Sequence, residues 1–93
     1  MDYQFGAALE NFNENKVDFI KTDLDIAITF AQIAQESTDE NKAARNLRNA
    51  RKAYDAVLHF LSTAALTPRD RKITEKLAWL KSALMALGEQ FLH

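Results

Sequence analysis

Apolar residues recur along three stretches of the chain at alternating spacings of four and three, which places them on one face of an α-helix. The most regular stretch lies near the C-terminus, and its apolar positions are Ile73, Leu77, Leu80, Leu84, Leu87 and Phe91. Thr67 and Pro68 precede it. A threonine hydroxyl can cap a first turn, and proline fits the first helical position. The pattern therefore predicts a helix over residues 68–91.

The middle stretch predicts a second helix, over residues 39–65. Ser37 and Glu40 fit the capping-box pattern S-x-x-E, in which side chains satisfy the free amides of a first turn. The apolar positions are rich in alanine: Ala43, Leu47, Ala50, Tyr54, Val57, Leu61 and Ala64. The polar positions fall on the opposite side, so the helix is predicted to be amphipathic with a basic outer face.

The first stretch predicts a helix over residues 14–36 whose apolar arc is wide enough to contact two neighbours. We expect its bulkier stripe to pack on the alanines of the second helix in an antiparallel hairpin. Asp23 interrupts that stripe, and we expect its carboxylate to contact Lys52 or Asn49, with a ligand-binding acid as the alternative. The bulkier stripe is Phe19, Ile26, Phe30 and Ile33, and its neighbour is Ile20, Leu24, Ala27 and Ala31.

Residues 1–13 are predicted to form a short N-terminal extension, itself helical. Phe5, Leu9 and Phe12 continue the spacing, but asparagines stand at positions 11, 13 and 15, and asparagine is a poor helix former. Either one long helix starts near Asp2, or a short helix ends at the asparagines. A straight helix would carry Phe5 and Leu9 beyond the bundle into water. We therefore expect the segment to bend back onto the bundle or to pair with a second chain.

These stretches predict an all-α fold, an antiparallel up-down-up three-helix bundle over residues 14–93 with an N-terminal extension. A chain of 93 residues can bury one modest core, and its two glycines and one proline favour long helices with short connections. No apolar run approaches the length of a membrane span, and the N-terminus lacks the features of a signal peptide. We expect a cytoplasmic protein with no membrane association.

The helical pattern resembles two families of interaction modules. Residues 15–90, with an alanine-rich middle helix, look like MIT-type domains. Ala56, Phe60 and Pro68 stand at the separations found in a TPR hairpin, although Thr63 replaces the second alanine of that family. The stretch NARKAYDAVLHFL also resembles short uncharacterised bacterial helical proteins. These resemblances imply a bacterial protein–protein interaction module and carry no activity with them.

Charge is divided unevenly along the chain. Residues 1–41 hold nine acidic side chains and two lysines, whereas residues 42–93 hold ten basic and four acidic side chains. The two halves either neutralise each other within the fold or leave the basic half for an acidic ligand. The basic group most suited to binding is Arg45, Arg48, Arg51 and Lys52. We expect a solvated face partly paired with acids of the first helix. An acidic protein is the alternative partner, and nucleic acid is less favoured because no exposed aromatic residue accompanies these bases.

The sequence predicts no catalytic, cofactor or metal site. Cysteine is absent, which excludes thiolate chemistry, and no Glu-x-x-His pair exists for a di-iron bundle. His59 is the one internal histidine, and Asp55 stands one turn before it, within hydrogen-bonding reach. This arrangement resembles histidine phosphotransfer domains, which carry an exposed histidine on a helical bundle. Those domains usually have a lysine three residues after the histidine and a glycine next to it, whereas this chain has Ser62 and Thr63.

We therefore expect a non-catalytic interaction module or small adaptor, which binds a protein partner or associates with itself. The alternatives are a polyanion binder that uses the basic face and a phosphorelay carrier that uses His59. Trp79 lies off the main seam, where it is either covered by the N-terminal segment or part of a groove for a partner helix. The candidate partner-binding residues are Arg45, Arg48, Arg51, Lys52, Trp79, Phe5 and Leu9.

Overall fold

The chain folds into three helices. The computed structural model describes residues 2–66 and 70–91, with side chains described for residues 14–66 and 70–91. Helix α1 spans Asp2–Glu36, α2 spans Glu40–Leu61 and α3 spans Arg71–Ala86, with no strand in the described part of the chain. Helix α1 packs against both α2 and α3. The predicted all-α three-helix bundle is confirmed.

The core is built from one apolar stripe of each helix. Leu24 of α1, Val57 of α2 and Leu80 of α3 are completely buried within it. The seams predicted for the second and third helices are confirmed at their central positions, because spacing alone determines which residues share a helix face. The buried seam residues of these two helices are Ala50, Tyr54, Val57, Ile73, Leu80 and Leu84.

The stripe of α1 that forms the core is not the bulky one. Phe19 and Ile26 are 50% and 45% exposed, whereas the neighbouring stripe is buried. Helix α1 contacts two helices, so the stripe that lies between them is the one removed from water. The buried stripe is offset by one residue from the bulky one, as Ile20 is from Phe19, which rotates the buried face by about 100°. Its members are Val17, Ile20, Leu24, Ala27 and Ala31.

Asp39, not Ser37, caps helix α2. Its side chain accepts hydrogen bonds from the amides of Asn41 at 2.9 Å and Lys42 at 3.2 Å, which lack partners within the helix. The hydroxyl of Ser37 instead accepts from the amide of Asp39 at 3.3 Å. The predicted capping box that starts at Ser37 is therefore wrong. Helix α2 also ends at Leu61, four residues before the predicted end.

Helix α3 is shorter than predicted because Gly88 ends it. Gly88 has φ of +100°, and its amide bonds to the carbonyl of Met85 at 3.0 Å. The amide of Glu89 bonds to the carbonyl of Leu84 at 3.0 Å, which completes a Schellman motif. Phe91 therefore lies in a non-helical C-terminal tail, residues 87–91. At the other end α3 begins at Arg71, and the predicted start at Thr67 and Pro68 lies outside the described residues.

Helix α1 runs without a break through the asparagines, so the first alternative, one long helix from Asp2, is the one adopted. The hydroxyl of Thr63, in the loop after α2, accepts a hydrogen bond from Lys16 Nζ at 3.3 Å. This bond places residue 16 level with the end of α2, so the backbone of residues 2–13 extends beyond the bundle. The molecule measures 58 × 23 × 20 Å accordingly. The expected bend back onto the bundle is therefore not present, whereas pairing with a second chain stays a prediction.

Candidate interaction surface

The four bases singled out in the sequence do not form one site. Arg45, Arg48 and Lys52 are exposed on the outer surface of α2. Within the described part of the chain, the side chains of these three residues make neither a hydrogen bond nor an ion pair. The expected pairing with acids of α1 is therefore absent there. Arg51 is half-buried and points to a different neighbour, the C-terminal tail. We refer to Arg45, Arg48 and Lys52 as the basic face.

Arg51 fastens the C-terminal tail to α2. Its Nη1 donates to the carbonyl of Gln90 at 3.0 Å and lies 3.6 Å from the carboxylate of Glu89. Its guanidinium carbon lies 4.1 Å from the ring centre of Phe91, a cation–π contact. Its Nε binds Asp55 at 3.1 Å, so Asp55 pairs with Arg51 and not with His59. Arg51 is therefore engaged within the chain, unlike Arg45, Arg48 and Lys52, and its role in partner binding stays a prediction.

Tyr54, a core residue of α2, also contacts the C-terminal tail. Its ring meets that of Phe91 edge to face, with the centroids 5.2 Å apart. Burial raises the pKa of Tyr54 above its ordinary value of 10.0. Arg51 acts in the opposite direction and Asp55 adds to the increase. The phenol is therefore neutral at pH 7, and its role is packing.

Helices α1 and α2 together form a largely apolar surface on the side of α1 that faces away from α3. Phe19 and Phe60 meet across it with ring centroids 4.8 Å apart, and this contact fixes the antiparallel register. Because the two helices are antiparallel, the residue seven positions after Phe19 lies level with the residue seven positions before Phe60. Ile26 is therefore level with Ala53. Helix α3 contacts the other flank of α1, where Lys76 binds Asp25 at 2.7 Å. We call this surface the outer groove, lined by Phe19, Asp23, Ile26 and Phe30 of α1 and by Asn49, Ala53, Ala56 and Phe60 of α2.

The outer groove is apolar apart from Asp23 and Asn49. Phe19 and Ile26 stand half exposed on one wall, and the opposite wall has only short alanine side chains between Asn49 and Phe60. Asp23 is level with Ala56, about one turn away from Lys52 along α2, and it contacts neither Lys52 nor Asn49. The predicted contact is wrong. A charge within an apolar stripe was the sequence signal that this stripe faces solvent.

Trp79 is not covered by the N-terminal segment. The Lys76–Asp25 pair places Trp79 level with Ile28 of α1, about 22 Å along the helix from residue 13. Trp79 is 44% exposed, while Ala83, one turn later, is buried. Of the two alternatives for Trp79, cover by residues 2–13 is therefore not present, and a groove for a partner helix stays a prediction. Phe5 and Leu9 belong to the projecting part of α1, and their side chains lie outside the described residues.

Two further features of the described surface are His59 and a cleft beside α3. His59 is exposed, and its ring lies edge-on to that of Phe60 at 5.7 Å. A shallow cleft of about 240 Å³ between α1 and α3 is bridged by the Lys76–Asp25 pair. Among the described side chains, no three potential ligands come together as a metal site.

None of the described helices combines the length and the hydropathy that crossing a membrane requires. The sequence matches no protein-family model, and no similar curated protein and no similar solved structure was found for it.

Proposed function

We propose that this chain is a non-catalytic protein–protein interaction module that binds an amphipathic helix in its outer groove. The observation that supports this function most strongly is the exposure of two large apolar side chains, Phe19 and Ile26, two turns apart on one wall. Helix-in-groove recognition uses apolar anchors repeated at helical spacing. Phe30 continues the row by one further turn.

Helix packing in this groove is physically favourable. Alanines on the α2 wall let a partner backbone approach closely, and the exposed halves of Phe19 and Ile26 would then leave water. Burial of the exposed half of such a side chain contributes about 1 kcal/mol. Asp23 adds specificity, because a partner that places a base opposite its carboxylate avoids the cost of burying an unpaired charge.

The basic face supports a second candidate function, the binding of a polyanion. Arg45, Arg48 and Lys52 are exposed on successive turns of α2 and have no partner among the described residues. Phosphate backbones and acidic peptides bind such groups by charge alone, so this binding weakens steeply with salt. The net charge of −1 for the whole chain makes this the second choice.

Affinity capture with groove variants tests the first function. We expect the wild-type protein to retain a defined partner at moderate salt, and the double variant Phe19→Ser/Ile26→Ser to lose it. Met85→Ser is the matched control, because Met85 is 56% exposed and lies on α3, away from the groove. Circular dichroism verifies that every variant is folded.

The basic face is tested in the same experiment with Arg45→Glu/Arg48→Glu. Capture that survives Phe19→Ser/Ile26→Ser but disappears in the charge variant and in higher salt would support the polyanion function in place of the groove. Equal capture by all variants would contradict both functions.

A further inference from the structure

We infer that the helix received by the outer groove is α1 of a second copy of this chain, packed antiparallel about a two-fold axis near Phe19. This inference rests on the proposed function and names its partner. It is carried by the length of α1, by the order of charges along its bulky stripe, and by the position of the basic face.

The length of α1 fits such a pairing. Phe19 is its middle residue, seventeen positions from Asp2 and seventeen from Glu36. In an antiparallel pair centred there, the helices overlap over their whole length, and residues equally distant from Phe19 face each other. The projecting residues 2–13, about 18 Å of helix, then lie beside residues 25–36 of the second copy. Residues 2–13 of each chain would therefore pack into the outer groove of the other chain.

The order of charges along the bulky stripe of α1 selects the antiparallel direction. Two charged residues share the spacing of this stripe, Lys16 and Asp23, and they stand on either side of Phe19. Both are half exposed, and Lys16 also donates to Thr63. An antiparallel pair brings Lys16 of each chain next to Asp23 of the other, twice per dimer. A parallel pair would place Lys16 against Lys16 and Asp23 against Asp23, which is repulsive.

The basic face lies beside the position that residues 2–13 of the second copy would occupy. The register of the α1–α2 hairpin sets residues 25–36 of α1 level with residues 43–54 of α2, the stretch that contains Arg45, Arg48 and Lys52. In this arrangement the backbone of residues 2–13 of the second copy, which include Asp2 and Glu10, would run along that stretch. Acids beside bases would offset the repulsion between two α1 helices, each of which carries seven acids and two lysines.

Cysteine pairing tests both the partner and its direction, because the native chain has no cysteine. Phe12 and Ile26 are equally distant from Phe19, so Phe12→Cys in one chain would face Ile26→Cys in the other. After the two variants are mixed and mildly oxidised, we expect the mixed disulfide to predominate. Two copies of residue 12 would be about 21 Å apart in this arrangement, too far for a disulfide. Disulfides within each variant alone, with none between them, would overturn the antiparallel arrangement.

Sedimentation equilibrium of the unmodified chain separates this inference from the proposed function. We expect twice the chain mass of 10.6 kDa, a return to one chain mass for Ile26→Ser, and no change for Met85→Ser. A wild-type protein that stays monomeric at every concentration would overturn self-pairing. In that case, groove-dependent capture of a different protein would still support the proposed function, and its absence would remove both.

Discussion

Replacement of Leu80 by alanine is expected to lower the free energy of unfolding by about 2–5 kcal/mol. Leu80 is completely buried in α3, in the same cluster as Leu24 and Val57. Loss of its side chain leaves a cavity that three packed helices cannot close without distortion, so the transfer term and the cavity term add. Urea denaturation followed by far-ultraviolet circular dichroism measures the change.

Arg48→Ala is the matched control for the loss at Leu80. Arg48 is exposed and has no described partner, so we expect a change within about 0.5 kcal/mol. Equal destabilisation by the two substitutions would mean that the buried faces of α2 and α3 are assigned incorrectly.

The second large effect is expected at Phe91. We expect Phe91→Ala to lower the free energy of unfolding by about 1–3 kcal/mol, because the half-buried ring packs on Tyr54 and lies under the Arg51 guanidinium. Detachment of the tail also exposes Tyr54 to water. Urea denaturation gives the stability change, and near-ultraviolet circular dichroism reports the environment of Tyr54.

Phe91→Leu serves as the control for that prediction. Leucine keeps an apolar side chain at the position but removes the ring contacts with Tyr54 and Arg51, so we expect an intermediate loss. If Phe91→Ala left both the stability and the near-ultraviolet signal unchanged, the tail would not be docked as described.

The fold could be predicted from the sequence because spacing is a local property. The seam from Ile73 to Leu84 and the seam from Ala50 to Val57 required no knowledge of neighbouring helices. Helix α1 was harder to interpret, because both of its stripes have helical spacing. The positions of α2 and α3 around it decide which stripe is buried, and a single sequence does not give those positions.

The C-terminal tail shows a second limit of spacing. Leu87 and Phe91 extend the seam of α3 in the sequence, yet Gly88 ends the helix between them with a positive φ. Glycine after the last turn was the local signal for this end. The return of Phe91 to Tyr54 and Arg51 is a contact between distant parts of the chain, which is why Arg51 was grouped with the solvated bases.

The candidate surface was only partly predictable for the same reason. Exposure of Arg45, Arg48 and Lys52 follows from the amphipathic pattern of α2. The outer groove depends on how α1 is rotated within the bundle, which its two competing stripes leave undecided. Lys16 and Asp23 on the bulky stripe distinguish them, since a charge is rarely buried without a partner.

Hydrogen exchange at the backbone amides of residues 2–13 tests most directly whether the outer groove and the projecting part of α1 cover each other. We expect the wild-type amides to become protected as the protein concentration rises, because a second copy then lies along them. Ile26→Ser should abolish that dependence, and Met85→Ser should preserve it. Exchange of these amides at the rate of an unfolded peptide at every concentration would contradict the account.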